Sequence, residues 1–363
     1  MTTISEQLAV IGGQADATIA ALNGRISELG DQAVLDDATI AHLTAVLDAC
    51  QAAYAAYRAK YPPPFTLGVT EPTAANTGVP AGRVLKVVTG DMVITTPGTV
   101  LDGLDINGYI DVRCADVTIN ECITRGGAPS TASTRALISA FHPAVKNLQV
   151  TRCTAKPAHP AHNIDFLDGH DYTATRNDVS EIVDSFGVFG PNVKALARIH
   201  GNYGHDYGMF LEPTAAGGVS HNDSVQIQAG ADIEIIGNAF WAYGSPLVGV
   251  TSDPALNPRY PKTQTMSCVM IGHTPAAGPP IADVKVHSNW FRGSLVPVNI
   301  SDKGSATGIA GLVVADNRAS KDSYYPGSML TSTRPSYDAN VATWTGNTWI
   351  EDGTPATFTR QKI

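Results

Sequence analysis

The chain has 363 residues and a formal net charge of −9. It contains no Lys/Arg-rich stretch, and a phosphate-binding surface needs clustered cations, so a nucleic-acid partner is excluded. Charged residues make up 16% of the chain, aromatics 7%, and Gly numbers 34; that mix, with short β-branched runs, favours many short strands and turns over helices.

The opening residues MTTISEQLAVIGG lack a basic region followed by an apolar core, so no export signal is expected. No run is long and apolar enough to predict a transmembrane span. Ile4, Leu8, Ile11, Ala15, Ile19, Leu22, Ile26 and Leu29 form a heptad-like seam with one stutter. A second seam follows Asp36–Asp37: Ile40, Leu43, Leu47, Cys50, Tyr54, Tyr57 and Tyr61. Pro62, Pro63 and Pro64 forbid further helix. Residues 1–61 are therefore predicted as an α-helical stem. A narrow seam needs a partner, either a helical hairpin within the chain or a coiled coil between chains. Gly12–Gly13 weakens the first helix by about 2 kcal/mol relative to alanine.

Residues 62–98 are Pro/Thr/Gly-rich with one strand-like run, Val84–Val88, and are predicted as a linker that caps an open first coil. From residue 99 to 320 brief strands recur, beginning with PGTVLDGLDINGYIDV. A repeated pattern of alternating apolar positions ends on Asn177, Asn202, Asn238, Asn289, Asn317 and Asn347. Cys122 and Cys153 fall in the same column, and the intervals between successive members run from 24 to 51 residues by subtraction. Short strands that keep register while their loops vary predict an all-β parallel β-helix, a solenoid of coils stacked about 4.8 Å apart. The stacked Asn side chains are expected to hydrogen-bond along the ladder and to take left-handed backbone. Residues 321–363 lose the rhythm and are predicted as the last coil and a C-terminal cap. The five cysteines, Cys50, Cys114, Cys122, Cys153 and Cys268, lack metal-site or redox-motif spacing and read as buried thiols. No cofactor or metal is expected.

Asp184, Asp206 and Asp223 each lead a similar short strand (DSFGVF, DYGMFL, DSVQI). In register on neighbouring coils they would stack near the separation that glycan hydrolysis uses, and repulsion would raise at least one pKa. With His205 and His221 close by, these five are the candidate catalytic residues, and Tyr203 or Tyr207 is a further candidate base for a lyase. Gln226, Glu212, Tyr207, Trp241 and Tyr243 are the candidate glycan-binding residues, with Trp290 a further stacking surface. The structural alternative is that Asp before a strand is an ordinary turn residue and that such ladders hold the fold. A second polar cluster, His162, Asn163, Asp165, Asp168, His170 and Asp171, has oxygen and nitrogen donors without recognisable ligand spacing.

The run His221-Asn222-Asp223-Ser224-Val225-Gln226, followed by a Gly-containing turn and the strand IEIIGN, resembles a signature of right-handed parallel β-helix proteins of the pectate-lyase-like superfamily. Ser224 stands where that signature has glycine. The resemblance covers roughly residues 65–320 and extends to phage tail spikes and minor tail proteins, particularly of actinobacterial phages. It implies a right-handed coil and a virion component, assembled in the host cytoplasm without a signal peptide and located on the tail. The implied form is a homotrimer that contacts other virion proteins and binds host cell-surface polysaccharide. Neither the calcium-binding aspartates with a catalytic arginine of pectate lyases nor the triple aspartate of polygalacturonases is cleanly present. Three functions stay open: glycan binding without catalysis, depolymerisation by a hydrolase or lyase, and a passive structural role.

Overall fold

The computed structural model describes residues 41–42, 44–45, 48, 65–127, 135–190, 195–210, 220–249, 267–300, 309–323, 330–332 and 341–356. The predicted stem lies outside them, apart from Ala41, His42, Thr44, Ala45 and Asp48, which are helical and exposed. None of these is a seam position. The chain divides into two units, Met1–Thr66 and Leu67–Ile363, and the fold below is that of the second.

Residues 86–349 build three parallel sheets of ten, nine and nine strands, each sheet taking successive strands from successive turns of the chain. The first turn runs through Lys86–Thr89, Met92–Ile94 and Val100–Asp102, one strand in each sheet. Its strands pair in register with Leu104–Asn107, Ile110–Val112 and Thr118–Asn120 of the second turn. The pattern repeats until Thr348–Trp349 opens a tenth turn. The chain is thus a three-sided solenoid, and coils are numbered here from Lys86. The coiled region starts before residue 99, the bound expected from the sequence, and continues into residues 321–363, where a last coil was expected. The short strands Lys86–Thr89 and Met92–Ile94 lack strong alternation, and the Asn347 rung is the only late sign of the rhythm.

Alternation within each strand sends every second side chain inward, and stacking turns those positions into columns. In the third sheet Leu101, Ile119, Val150, Ala174, Ile199, Ile235, Val286 and Val314 lie one above another. All are buried. Cys114, Cys122, Cys153 and Cys268 are buried free thiols.

The corner between the third and first sheets carries the Asn column. Asn238 shows one rung: its side-chain NH2 donates to Ile199 O at 2.8 Å and to Asn289 Oδ1 at 3.0 Å. Its Oδ1 accepts the backbone and side-chain N–H of Asn202, both at 2.9 Å. The same exchange links Asn177 to Asn202, Asn289 to Asn317 and Asn317 to Asn347. Cys153 ends the ladder by giving its N–H to Asn177 Oδ1 at 2.8 Å. The thiols of Cys153 and Cys122 reach toward Ile119 O and Leu101 O, the kind of carbonyl each Asn amide meets one coil back.

The left-handed backbone belongs to the residue before the column and not to the Asn. Gly103, Glu121, Arg152, Arg176, Gly201, Gly237, Ser288, Asp316 and Gly346 have φ between 49° and 65°. Five of these are not glycine and accept roughly 1–2 kcal/mol of steric cost each, which the ladder's bonds offset.

Residues 67–83 do not cap the first coil as expected. They run back along the outside of the solenoid, from late coils to early ones. Glu71 pairs with Arg292 of coil 8 at 3.1 Å, and Asn76 O accepts Arg176 at the start of coil 5 at 2.6 Å. Val79 N–H meets Thr154 of coil 4 at 3.0 Å, and Arg83 pairs with Asp102 of coil 1 at 2.6 Å. Gly78 is required by close approach, because a β-carbon there would collide with Asp178 and Thr154.

Asn238→Ala removes both donors and the acceptor of a central rung and leaves buried groups without partners. We expect a loss of about 3 kcal/mol by urea denaturation, with a smaller loss for Asn347→Ala at the terminal rung.

Candidate functional site

On the outer face of the second sheet, Asp111, Ser139, Asp168 and Gly187 stand in one column across coils 2 to 5. They face outward because their strand neighbours Ile110, Val112, Ile138, Leu167 and Phe186 fill the core. Around Asp111, Ser139 and Asp168 lies an open cavity of about 420 Å³, walled by Tyr109 and Arg135 on one side and Phe141 and Phe189 on the other. Phe141 is 44% exposed and packs on Phe189 with ring centroids 5.6 Å apart. The Arg135 guanidinium lies 3.7 Å over the Tyr109 ring and pairs with Asp91 at 2.5 Å. Gly187 continues the floor with no side chain, and a β-carbon there would strike Asp168 and the Phe189 ring.

Behind the floor runs a second acidic column, Asp165, Asp184 and Asp223, followed by Ser267. Asp165 Oδ1 accepts Asp184 N–H at 3.0 Å, and Asp184 Oδ1 accepts Asp223 N–H at 2.7 Å. Ser267 Oγ donates to Asp223 Oδ1. This ladder acts against the charge of its own members. Burial pushes Asp165 and Asp223 up to about 6 and raises Asp168 and Asp184 well above the usual carboxylate range, with neighbouring carboxylates adding to the rise in the last two. The Asp168 and Asp165 carboxyls are hydrogen-bonded to each other, which requires a proton held between them, and Asp168, which also accepts Gly187 N–H, is the member that lines the cavity.

The candidates named from sequence separate onto two faces. Asp184 and Asp223 share the buried column, with Asp165 as its third member. Asp206 is not part of it: it sits at the end of a first-sheet strand, side chain 59% exposed, with φ of 46° in a turn. Its likeness to the other two was a likeness of local sequence, since the strand it leads, Tyr207–Met209, pairs with Gly244–Gly249 in a separate two-stranded sheet and not in the second sheet. His205 bridges Asp178 at 2.8 Å and Asp206 at 2.6 Å on that first-sheet face. Burial works against its charge, but the two carboxylates outweigh it and raise the pKa. His221 is half-buried near Asp223 and favours that residue's ionised form.

Gln226 lies on the cavity's face, in register with Gly187 one coil on, and accepts Gln228 at 2.6 Å. Tyr207 is not a sugar platform: it is wholly buried, with its hydroxyl 2.9 Å from Ser185 Oγ. Trp241 packs edge-on to Tyr203 at 5.3 Å with Arg292 over its ring. Tyr203 and Trp290 are buried in that same cluster. Tyr243 donates to Asp322. Glu212 lies outside the described residues. Among the described residues no group of three or more His, Cys, Asp or Glu is arranged to hold a metal ion.

The cavity walls were missed because Tyr109, Phe141 and Phe189 flank the strands and Arg135 opens one, positions where alternation gives no direction. Phe141, directly after the strand Arg135–Ala140, was the available signal.

The sign of the pH dependence follows from the raised pKa values. The folded chain holds protons that the unfolded chain releases, so the associated stability is full below about pH 4 and is lost as pH rises through about 6. Asp184→Asn keeps the acceptor for Asp223 N–H and removes one buried carboxyl that must hold a proton in the folded chain. We expect its urea midpoint at pH 7.5 to exceed that of the parent, with a flatter decline between pH 5 and 7.5. A midpoint lower than the parent's at both pH values would show that the charge itself is needed.

Comparison with known protein families, with curated proteins and with solved structures gives no match for this chain.

Proposed function

We propose that the protein is a virion spike or minor tail protein of a phage, whose solenoid binds host cell-envelope glycan through the cavity on its second sheet. The observation that carries the glycan part is the exposed ring of Phe141 beside convergent polar groups, Asp111, Ser139 and Asp168, in one open groove whose other wall is Arg135 over the buried Tyr109. Sugar rings offer apolar C–H faces and hydroxyl edges, and this combination serves both. The virion part rests on the sequence resemblance around residues 220–240. A right-handed coil accords with the crossover preference of parallel strands. Self-association into a homotrimer through the helical stem, and tail location, belong to the same proposal.

A second reading, a polysaccharide hydrolase, is favoured by the Asp168–Asp165 pair. The Asp168–Asp165 pair holds a proton at the groove floor, as a general acid must, and Asp111, two coils away in the same column and about 10 Å off by strand spacing, is the other carboxylate that lines the groove. In that reading Asp168 protonates the glycosidic oxygen and Asp111 takes a proton from the water that attacks the sugar carbon and displaces the leaving group.

Titration calorimetry with host envelope polysaccharide tests the binding reading, and new reducing ends test the second. Phe141→Ala should weaken binding about fivefold, because a lost stacking face is worth on the order of 1 kcal/mol. Asp168→Asn should keep binding within about threefold. Reducing ends released by the parent and absent in Asp168→Asn would establish the hydrolase. Binding unaffected by Phe141→Ala would remove the groove from the account.

A further inference from the structure

We infer that Cys122 and Cys153 are a modification site, which a peroxide oxidises to a disulfide that clamps the turn between coils 2 and 3 to the turn between coils 3 and 4. The two thiols stand where the Asn column ends. Ile123 pairs in register with Thr154, and Thr154 N–H donates to Cys122 O at 2.9 Å, so Cys153 lies directly on Cys122 one coil on. Strand spacing sets their Cα atoms about 4.8 Å apart, inside the range of about 4.4–6.8 Å that a disulfide spans. Both side chains are wholly buried and turn the same way. Cys153 Sγ is 3.5 Å from Ile119 O, and Cys122 Sγ is 3.2 Å from the adjacent carbonyl, Asn120 O. The thiols are also hydrogen-bonded to each other.

The Asn rungs exchange amide bonds from coil to coil, whereas a thiol has one weak donor, so this stretch of the corner lacks the side-chain link that holds the rest. A disulfide supplies a covalent one. The Cys122 thiolate attacks one oxygen of the peroxide and breaks the O–O bond. Cys122 becomes a sulfenic acid, and the other oxygen leaves as hydroxide and takes up the thiol's proton. The Cys153 sulfur then attacks the Cys122 sulfur, the S–S bond forms, and the sulfenic oxygen departs with the Cys153 proton as water. Two thiols are oxidised and one hydrogen peroxide is reduced to two waters. The order of attack follows the surroundings: the hydrogen bond from Cys153 lowers the Cys122 pKa, and burial raises that of Cys153. Hydrogen peroxide is small enough to enter by local opening of the first coils, where the outermost strand of each of the three sheets pairs on one side only.

The experiment uses the full chain carrying Cys50→Ser, which removes the thiol outside the described residues. The protein is reduced, exposed to hydrogen peroxide, alkylated in denaturant, digested and read by mass spectrometry, with urea denaturation alongside. The expected result is a pair of peptides joined through Cys122 and Cys153 and lighter by two hydrogens, with Cys114 and Cys268 recovered as free thiols. The oxidised protein should unfold at higher urea than the reduced protein, because the cross-link constrains the unfolded chain, and dithiothreitol should reverse the shift. Cys153→Ser should show neither the joined peptides nor the shift. Cys122 and Cys153 recovered as free thiols, or as separate sulfinic acids, would overturn the inference. A cross-link that lowers the urea midpoint would overturn the clamp.

Discussion

Stacking at one strand spacing constrains everything else in this molecule. Each residue of a coil is fixed by the residue above and the residue below, so like side chains collect into columns and a column succeeds or fails as a unit. The Asn column succeeds because an amide has both a donor and an acceptor. Each rung gives its NH2 to the next side chain and to a backbone carbonyl, and receives two N–H groups in return. That exchange saturates buried polar groups at a corner where the backbone must turn, and it holds non-glycine residues such as Arg176 and Asp316 in left-handed conformation.

The aspartate column works by a related rule with a different outcome. A carboxylate can accept the N–H of its neighbour, as Asp165 and Asp184 do, but it brings a charge that burial penalises. The penalty is relieved by proton uptake, which raises these carboxyls. The same arrangement that supports the backbone therefore stores protons next to an open groove. Asp168 stands at the boundary between the two, bonded to the ladder through Asp165 and exposed to the cavity with Phe141 and Tyr109.

The strap of residues 67–83 adds a second kind of constraint. It ties coils 8, 5, 4 and 1 together along the outside through Glu71, Asn76, Val79 and Arg83. It also helps explain why aromatic residues on the outward face of the first sheet, Tyr203 and Trp290, are buried. The open groove with Phe141 lies instead on the second face.

Sequence alone determined the solenoid, because a column is a one-dimensional object: Asn177 to Asn347, and the two cysteines before them, reveal stacking without knowledge of the loops between. It also offered Asp184, Asp206 and Asp223 as a possible column, since each leads a similar short strand, and the structure keeps Asp184 and Asp223 in it. It could not separate Asp206 from them, because register is decided by how many residues the preceding corner absorbs and not by the strand's own residues. Nor could it show which outward side chains share a face. Tyr109 comes from coil 2, Arg135 and Phe141 from opposite ends of one strand of coil 3 and Phe189 from coil 5, so these walls form only when the coils stack, and Asp168 joins them with Asp165, three residues earlier, held by the backbone N–H of Asp184. Periodicity records what points inward, where burial enforces a pattern. The groove is made of residues at corners and on the outer face, where no such pattern is imposed, and only the tertiary structure brings them together.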